Sequence, residues 1–278
     1  MRQFAAETHT GMKRSHNEDC YEADPNLGLW LIADGVGGHS CGEVASDIVR
    51  TTIRNSIAHG DTLSGAIEQS HQAILKAIKQ QEAARGMGST VVALLINNDN
   101  YELTWVGDSR AYLWDHRLQQ LSQDHNRASE LLADNMITQL QAANHPERHA
   151  LTQSLGVSER MNLRPGNIRG SLNDGQQILL CSDGLTDELP DSVISRIMND
   201  NHSPRAQVDA LVLAQARETD AGKRKAILKE LHGIMTDDAV GAILFGLNMI
   251  YATTDRIEYN WTPDEAYKVN LHLIKIVK

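Results

Sequence analysis

The chain has 278 residues, and its 26 lysines and arginines stand against 36 aspartates and glutamates, a formal charge of −10. That balance excludes a non-specific nucleic-acid binder and a protein that docks on anionic lipid, since both need clustered cations. Hydrophobic residues make up 41% and aromatics only 4%, so the chain can fold around a core built mostly of Leu, Ile, Val and Ala.

The first apolar run, 29–33 (LWLIA), meets Asp34-Gly35 and reads as a strand. Val44, Ala45, Ile48, Val49, Ile53 and Ile57 then recur at helical spacing. Ala66, Ile67, Ala73, Ile74, Ala77 and Ile78 do the same over 63–85, with Gly86 as the stop. Short runs follow at 90–96, closed by the turn cluster Asn97-Asn98-Asp99-Asn100, at 103–106, closed by Gly107-Asp108, and at 110–114. Region 123–150 is polar, holds helical pieces and no strand, and reads as an excursion from a sheet. A run at 178–181 meets Ser182-Asp183-Gly184, a helix is expected over 205–217, and a last run at 240–245 follows Asp237-Asp238. The order does not alternate as βαβ units would. It predicts an α+β fold with antiparallel sheets.

The three cysteines, Cys20, Cys41 and Cys181, are an odd number without CxxC spacing, which points to a reducing compartment and away from a zinc ribbon. The first residues lack an apolar signal core, and no run approaches the ~18 apolar residues of a spanning helix. A cytoplasmic protein without membrane attachment is expected. No linker composition divides the chain.

Aspartates recur where apolar runs stop: Asp34, Asp108 and Asp183, with Asp19 after Asn17-Glu18 and Asp238 before the last run. Singly, each Asp-Gly is first of all a turn. Gathered at one sheet end, such carboxylates would repel one another unless a cation neutralised them. Oxygen ligands without Cys or His select Mg²⁺, Mn²⁺ or Ca²⁺ over zinc. Spacing alone does not bring them together.

Arg14-Ser15-His16-Asn17-Glu18-Asp19 resembles the R-x-x-N-E-D opening of the metal-dependent protein phosphatases of type 2C, the PPM family. Asp34-Gly35-Val36-Gly37-Gly38-His39 with Gly42-Glu43-Val44-Ala45-Ser46, then Gly88-Ser89-Thr90, Gly107-Asp108-Ser109-Arg110-Ala111-Tyr112 and Ser182-Asp183-Gly184-Leu185-Thr186-Asp187 resemble its further blocks, in family order. The resemblance implies an α-β-β-α sandwich of two antiparallel sheets flanked by helix pairs. The phosphatase domain would span 1–246, with a flap at about 122–155, and 247–278 would be an extension of unassigned role. It implies hydrolysis of phosphoserine and phosphothreonine by a water activated between two divalent ions, Mn²⁺ or Mg²⁺.

By the same resemblance, Asp34 bridges the two ions and the Gly35 carbonyl binds one, while Asp183 and Asp238 bind the other. Glu18 and Asp19 hold water in the outer shell, Arg14 clamps the substrate phosphate, and Asp108 with Asp183 holds a weaker third ion. Asp108 could equally turn a hairpin. Asn17 is expected to bond local backbone, Gly88-Ser89-Thr90 to be structural, and His125 and His149 to be solvated loop residues. The implied partners are a phosphoprotein, such as a Ser/Thr kinase or its targets, and the chain is expected to be a monomer. Ala239 stands where the family usually has Asn, and 217–236 is longer and more basic than the usual link. These departures favour the alternative, a phosphoprotein-binding regulatory module with impaired catalysis. Val36 replaces a His proposed elsewhere in the family as general acid, leaving water or His39 for that role.

Overall fold

In β2 (Leu29–Val36) the side chains alternate between two apolar environments. Leu29, Leu31 and Ala33 pack with helical residues, whereas Trp30 and Ile32 join a second cluster. This period of two places a buried strand in the interior of a layered fold. The computed structural model describes residues 3–10, 16–37, 41–80, 86–159 and 161–215, together with the backbone of four short strands in 240–276. It divides into two units, Met1–Ala216 and Arg217–Lys278.

In the first unit, β1 (Asp19–Asp24), β2, β4 (Val91–Asn97), β5 (Asn100–Val106) and β8 (Gly166–Ser171) form a sheet in that order, and β3 (Gly88–Ser89) pairs with the end of β2. A three-stranded sheet runs β7 (Leu118–Gln120), β6 (Arg110–Trp114), β9 (Gln177–Cys181). Every pairing in both sheets is antiparallel.

Three apolar clusters define the layers. Ala45, Val49 and Ile53 of α1 (Cys41–Ala58) and Ile67 and Ile74 of α2 (Leu63–Gln80) cover one face of the larger sheet. Val92, Leu94, Leu103 and Trp105 meet Ala111, Ile178 and Leu180 between the sheets. Tyr112, Trp114 and Cys181 face Leu185 of α5 (Asp183–Thr186), Ile194 and Met198 of α6 (Asp191–Asp200) and Leu211 of α7 (Pro204–Gln215). The result is the expected helix-sheet-sheet-helix order. Truncating a fully buried residue such as Ile53 to alanine would cost about 2–5 kcal/mol.

Strand β2 does not stop at Asp34. It continues because Gly35 and Val36 find partners in Ser89 and Gly88 of β3. The second helix ends at Gln80, and 81–85 lie outside the described residues. The polar region contains α3 (Arg127–Ala133) and α4 (Gln139–Ala143). Thr138 and Gln141 form a reciprocal capping box at the start of α4. Strand β8, read GNIRGS, has almost no apolar signal. Its glycines are required because a Cβ at Gly166 would stand 2.2 Å from the Trp105 ring, and one at Gly170 2.6 Å from Tyr101.

Two thiols are shielded. Burial pushes Cys181 up to about 12 and Cys20 up to about 11. In the second unit, β10 (Val240–Phe245) pairs antiparallel with β11 (Met249–Thr254), and β12 (Ile257–Tyr259) with β13 (Ile274–Ile276). The basic stretch 217–236 and the alternation at Val269, Leu271 and Leu273 lie outside the described residues. Among the described residues no helix is long and apolar enough to cross a membrane.

His71 of α2 is 2% exposed, and its Nδ1 accepts the Gly156 N–H at 3.0 Å. Burial holds this imidazole below its ordinary value, so the folded state binds fewer protons than the unfolded state. The stability from this residue is full above about pH 6.5 and is lost as pH falls below it, by up to about 1.4 kcal/mol per pH unit. Urea midpoints of wild type and His71→Gln should therefore diverge between pH 7.5 and 5.5, with the wild type losing more. Parallel pH profiles would contradict this.

Candidate active site

The alternation of β2 sets Asp34 on the same side as Trp30 and Ile32, the side that faces the second sheet. The β1–β2 register places Asp19 directly opposite it. From the second sheet, β9 delivers Ser182 and Asp183 at the start of α5. Asp183 stands close enough to Asp34 for its carboxylate to oppose the ionisation of Asp34. Ser182 occupies the N-cap position of α5 but makes no side-chain cap. Its hydroxyl instead donates to Asp19 Oδ2 at 2.7 Å. Asp108, in the turn between β5 and β6, is 8% exposed, as is Asp34.

The backbone beneath Asp34 is fixed from several sides. Its carbonyl accepts the Thr90 N–H at 2.8 Å and the Ser89 hydroxyl at 3.0 Å. The Thr90 and Ser109 hydroxyls bond at 2.8 Å, which links this strand to the Asp108 turn. Gly88-Ser89-Thr90 thus serves structure. The Gly35 N–H donates to the Glu18 carbonyl at 3.1 Å. A Cβ on Gly35 would fall 2.0 Å from the Gly42 carbonyl oxygen, and one on Gly42 would fall 2.7 Å from Glu18 Oε1 and 2.8 Å from the Gly35 oxygen. Sheet and helix meet here backbone to backbone, with the Glu18 carboxylate beside them. Asn17 acts locally: its Oδ1 accepts the Asp19 N–H at 3.1 Å, and its Nδ2 donates to Thr8 Oγ1 at 2.6 Å.

Burial first, then the charges of Asp19, Asp183 and Asp108, push the Asp34 carboxyl up to about 10. Asp108 is pushed up to about 7 by burial, Asp183 and Asp124. Asp187 is raised by burial and Asp183, against the opposing pull of His149 and Arg148. Burial and each of these neighbouring charges therefore disfavour the charge on Asp34. A divalent cation fits this donor set, because oxygen ligands of one sign are what hard cations neutralise.

Asp19, Asp34, Asp108 and Asp183 thus share one sheet end, with Glu18 and the Gly35 backbone alongside. Arg14, Asp238, Gly38 and His39 lie outside the described residues. Asp187 was not singled out by the sequence. One atom each of His149, Asp183 and Asp187 lie within 4.8 Å of one another, and His149 Nδ1 stands 3.6 Å from Asp187 Oδ2. His149 is exposed, as expected. His125 is not a solvated loop residue: its ring stacks on Trp105 with centroids 6.3 Å apart, and its Nδ1 accepts the Gly107 N–H at 3.2 Å. Burial holds it below its ordinary value. Its position becomes legible only once the Gly107 turn and the Trp105 strand are in place.

A cation held by Asp34 and Asp108 would compete with protons for their carboxyls. The rise in unfolding temperature produced by a fixed Mn²⁺ concentration should therefore grow from pH 6 to pH 8. A shift independent of pH would show that these carboxyls are not held protonated in the cation-free protein.

The pattern of the protein phosphatase 2C family matches residues 9–217. The chain is 31% identical over 219 residues to the serine/threonine phosphatase stp of Listeria monocytogenes, covering 74% of this chain and 86% of that protein. The crystal structure of the Mycobacterium tuberculosis serine/threonine phosphatase PstP/Ppp is similar with a TM-score of 0.69 and 30% identity, covering 77% of this chain and 92% of that one. The catalytic domain of PstP in complex with two manganese ions is similar with a TM-score of 0.66 at 30% identity, over 77% of this chain and 91% of that one. With its carboxylates gathered at the end of two antiparallel sheets and this likeness across three quarters of its length, the chain belongs to the protein phosphatase 2C family.

Proposed function

We propose that this chain hydrolyses phosphoserine and phosphothreonine on protein substrates, using two divalent cations held at the Asp34 end of the sandwich. The observation that carries the reading is the convergence of buried Asp34 and Asp108 with Asp183, where Asp34 and Asp183 are 149 positions apart in sequence and come from different sheets. Asp34 and the Gly35 carbonyl would hold the cations from the first sheet, and Asp183 from the second. Asp238 would complete the set, with Asp237 as the alternative. When bound, the two ions supply acidity to the attacking water and neutralise charge on the phosphoryl oxygens.

The remaining roles belong to the protein. Glu18 and Asp19 would orient water around the site, with Asp19 itself held by Ser182. Arg14 would clamp the phosphate through its planar fork. Burial of Asp34 excludes bulk water from one side of the reacting centre. The leaving serine or threonine oxygen would take its proton from water. Asp108 with Asp183 would hold a weaker third ion. Mn²⁺ or Mg²⁺ both suit the oxygen donors. The substrates would be a Ser/Thr kinase or its targets, reached beneath a flap at 122–155.

The test is turnover of p-nitrophenyl phosphate and of a phosphothreonine peptide, with Mn²⁺ and with EDTA. Activity should require the metal. Asp34→Asn and Asp183→Asn should each lower turnover more than about tenfold, a barrier increase above ~1.4 kcal/mol, while leaving the far-UV spectrum unchanged. Wild-type rates in either variant would remove that residue from the site. A folded wild type inactive on both substrates at several metal concentrations would instead favour the phosphoprotein-binding module, the reading to which Ala239 points.

A further inference from the structure

Arg110 opens β6 two residues after Asp108, and its partner Asp124 has a side chain only 5% exposed. The guanidinium grips this carboxylate as a fork. Nε donates to Oδ1 at 3.0 Å and to Oδ2 at 3.1 Å, and Nη2 donates to Oδ2 at 2.7 Å. Gln120 Nε2 adds a bond to Oδ1 at 2.9 Å. The remaining arm, Nη1, donates to the Tyr112 oxygen at 3.1 Å, and the Tyr112 hydroxyl donates to Asp191 Oδ1 at 3.0 Å. The pair is thereby anchored to the start of α6.

Asp124 is also the residue at which the polar excursion leaves the sheet. The next residues are clasped to its return limb: Arg127 N–H donates to the Ala150 carbonyl at 3.1 Å, and Thr152 N–H to the His125 carbonyl at 2.9 Å. The clasp is bonded both ways to the Asp108 turn. His125 N–H donates to the Gly107 carbonyl at 2.9 Å, and Gly107 N–H donates to His125 Nδ1 at 3.2 Å. Beyond it, Met136 and Leu140 stand 70% and 76% exposed.

We propose that Arg110 and Asp124 are positioning residues whose buried fork locks the root of the excursion to the turn carrying Asp108. A protein substrate under the excursion and the carboxylates that act on its phosphate are then held in one register. The inference rests on the phosphatase reading. A phosphopeptide extends from its phosphate along the excursion, whereas an aryl phosphate offers the excursion far less to hold, so the fork matters more for the peptide than for p-nitrophenyl phosphate. A charged group left in this pocket without its partner is costly, so the neutral double variant Arg110→Gln/Asp124→Asn accompanies both single ones.

With saturating Mn²⁺, and with folding checked by thermal unfolding, Asp124→Asn and Arg110→Gln should raise KM for a phosphothreonine peptide about tenfold or more. The kcat for p-nitrophenyl phosphate should stay within about threefold. The double variant should be no worse than the poorer single one, because the two act as a unit. Arg110→Lys should not restore the peptide KM, because an ammonium cannot form the fork. Equal losses on both substrates, additive losses, or an unchanged peptide KM would overturn the coupling. If a single variant does not fold, the double variant carries the same comparison of KM with kcat. A wild type that turns over neither substrate would remove the phosphatase reading and this inference together, whereas an active wild type with unsplit losses removes the inference alone.

Discussion

Mutual repulsion among carboxylates at the end of β2 is the constraint that the surrounding structure must accommodate. Asp34 is buried with Asp19, Asp108 and Asp183 close enough to oppose its ionisation. Left alone, such a group takes up a proton rather than carry charge in a poorly solvated place. The arrangement persists because each carboxylate is carried by an element whose position is set elsewhere. The register of β1 on β2, the turn after β5 and the junction of β9 with α5 each have their own apolar support. Core packing of this kind supplies the free energy that holds like charges together.

The backbone joints around Asp34 fix where those charges stand. Gly35 and Gly42 touch without side chains, Ser89 and Thr90 hold the Asp34 carbonyl, and Ser182 leaves its own helix uncapped to bond Asp19. A serine at an N-cap ordinarily stabilises its helix by about 0.5–2 kcal/mol. Its diversion here trades local stability for the orientation of a carboxylate, a pattern expected near functional sites.

Much of this was legible in the residues, and the exceptions have physical reasons. β2, β4, β5, β6 and β9 announce themselves as apolar runs, and α1 and α2 through their stripes, because these elements are buried on a face or on both. β1, β7 and β8 read DCYEAD, LQQ and GNIRGS. They form because a neighbour offers hydrogen bonds or an aromatic ring, and no local period reports that. The end of β2 is hidden from the sequence for the same reason, since its partner β3 is only two residues long. Among the site residues, the aspartates stand out because they interrupt apolar runs. That Asp34 meets Asp183 was expected from family resemblance and not from spacing. Asp124 and His125 lie in a polar stretch where nothing marks them as buried, and only the Arg110 strand and the Trp105 ring make them so.

The shielding of Cys20 and Cys181 bears on how the protein meets oxidants. At neutral pH, thiols held near 11 and 12 are almost wholly un-ionised, and it is the thiolate that peroxides and alkylating reagents attack. Cys181 acts as a small apolar filler within its sheet, and the half-buried Cys20 packs against the helix-side core.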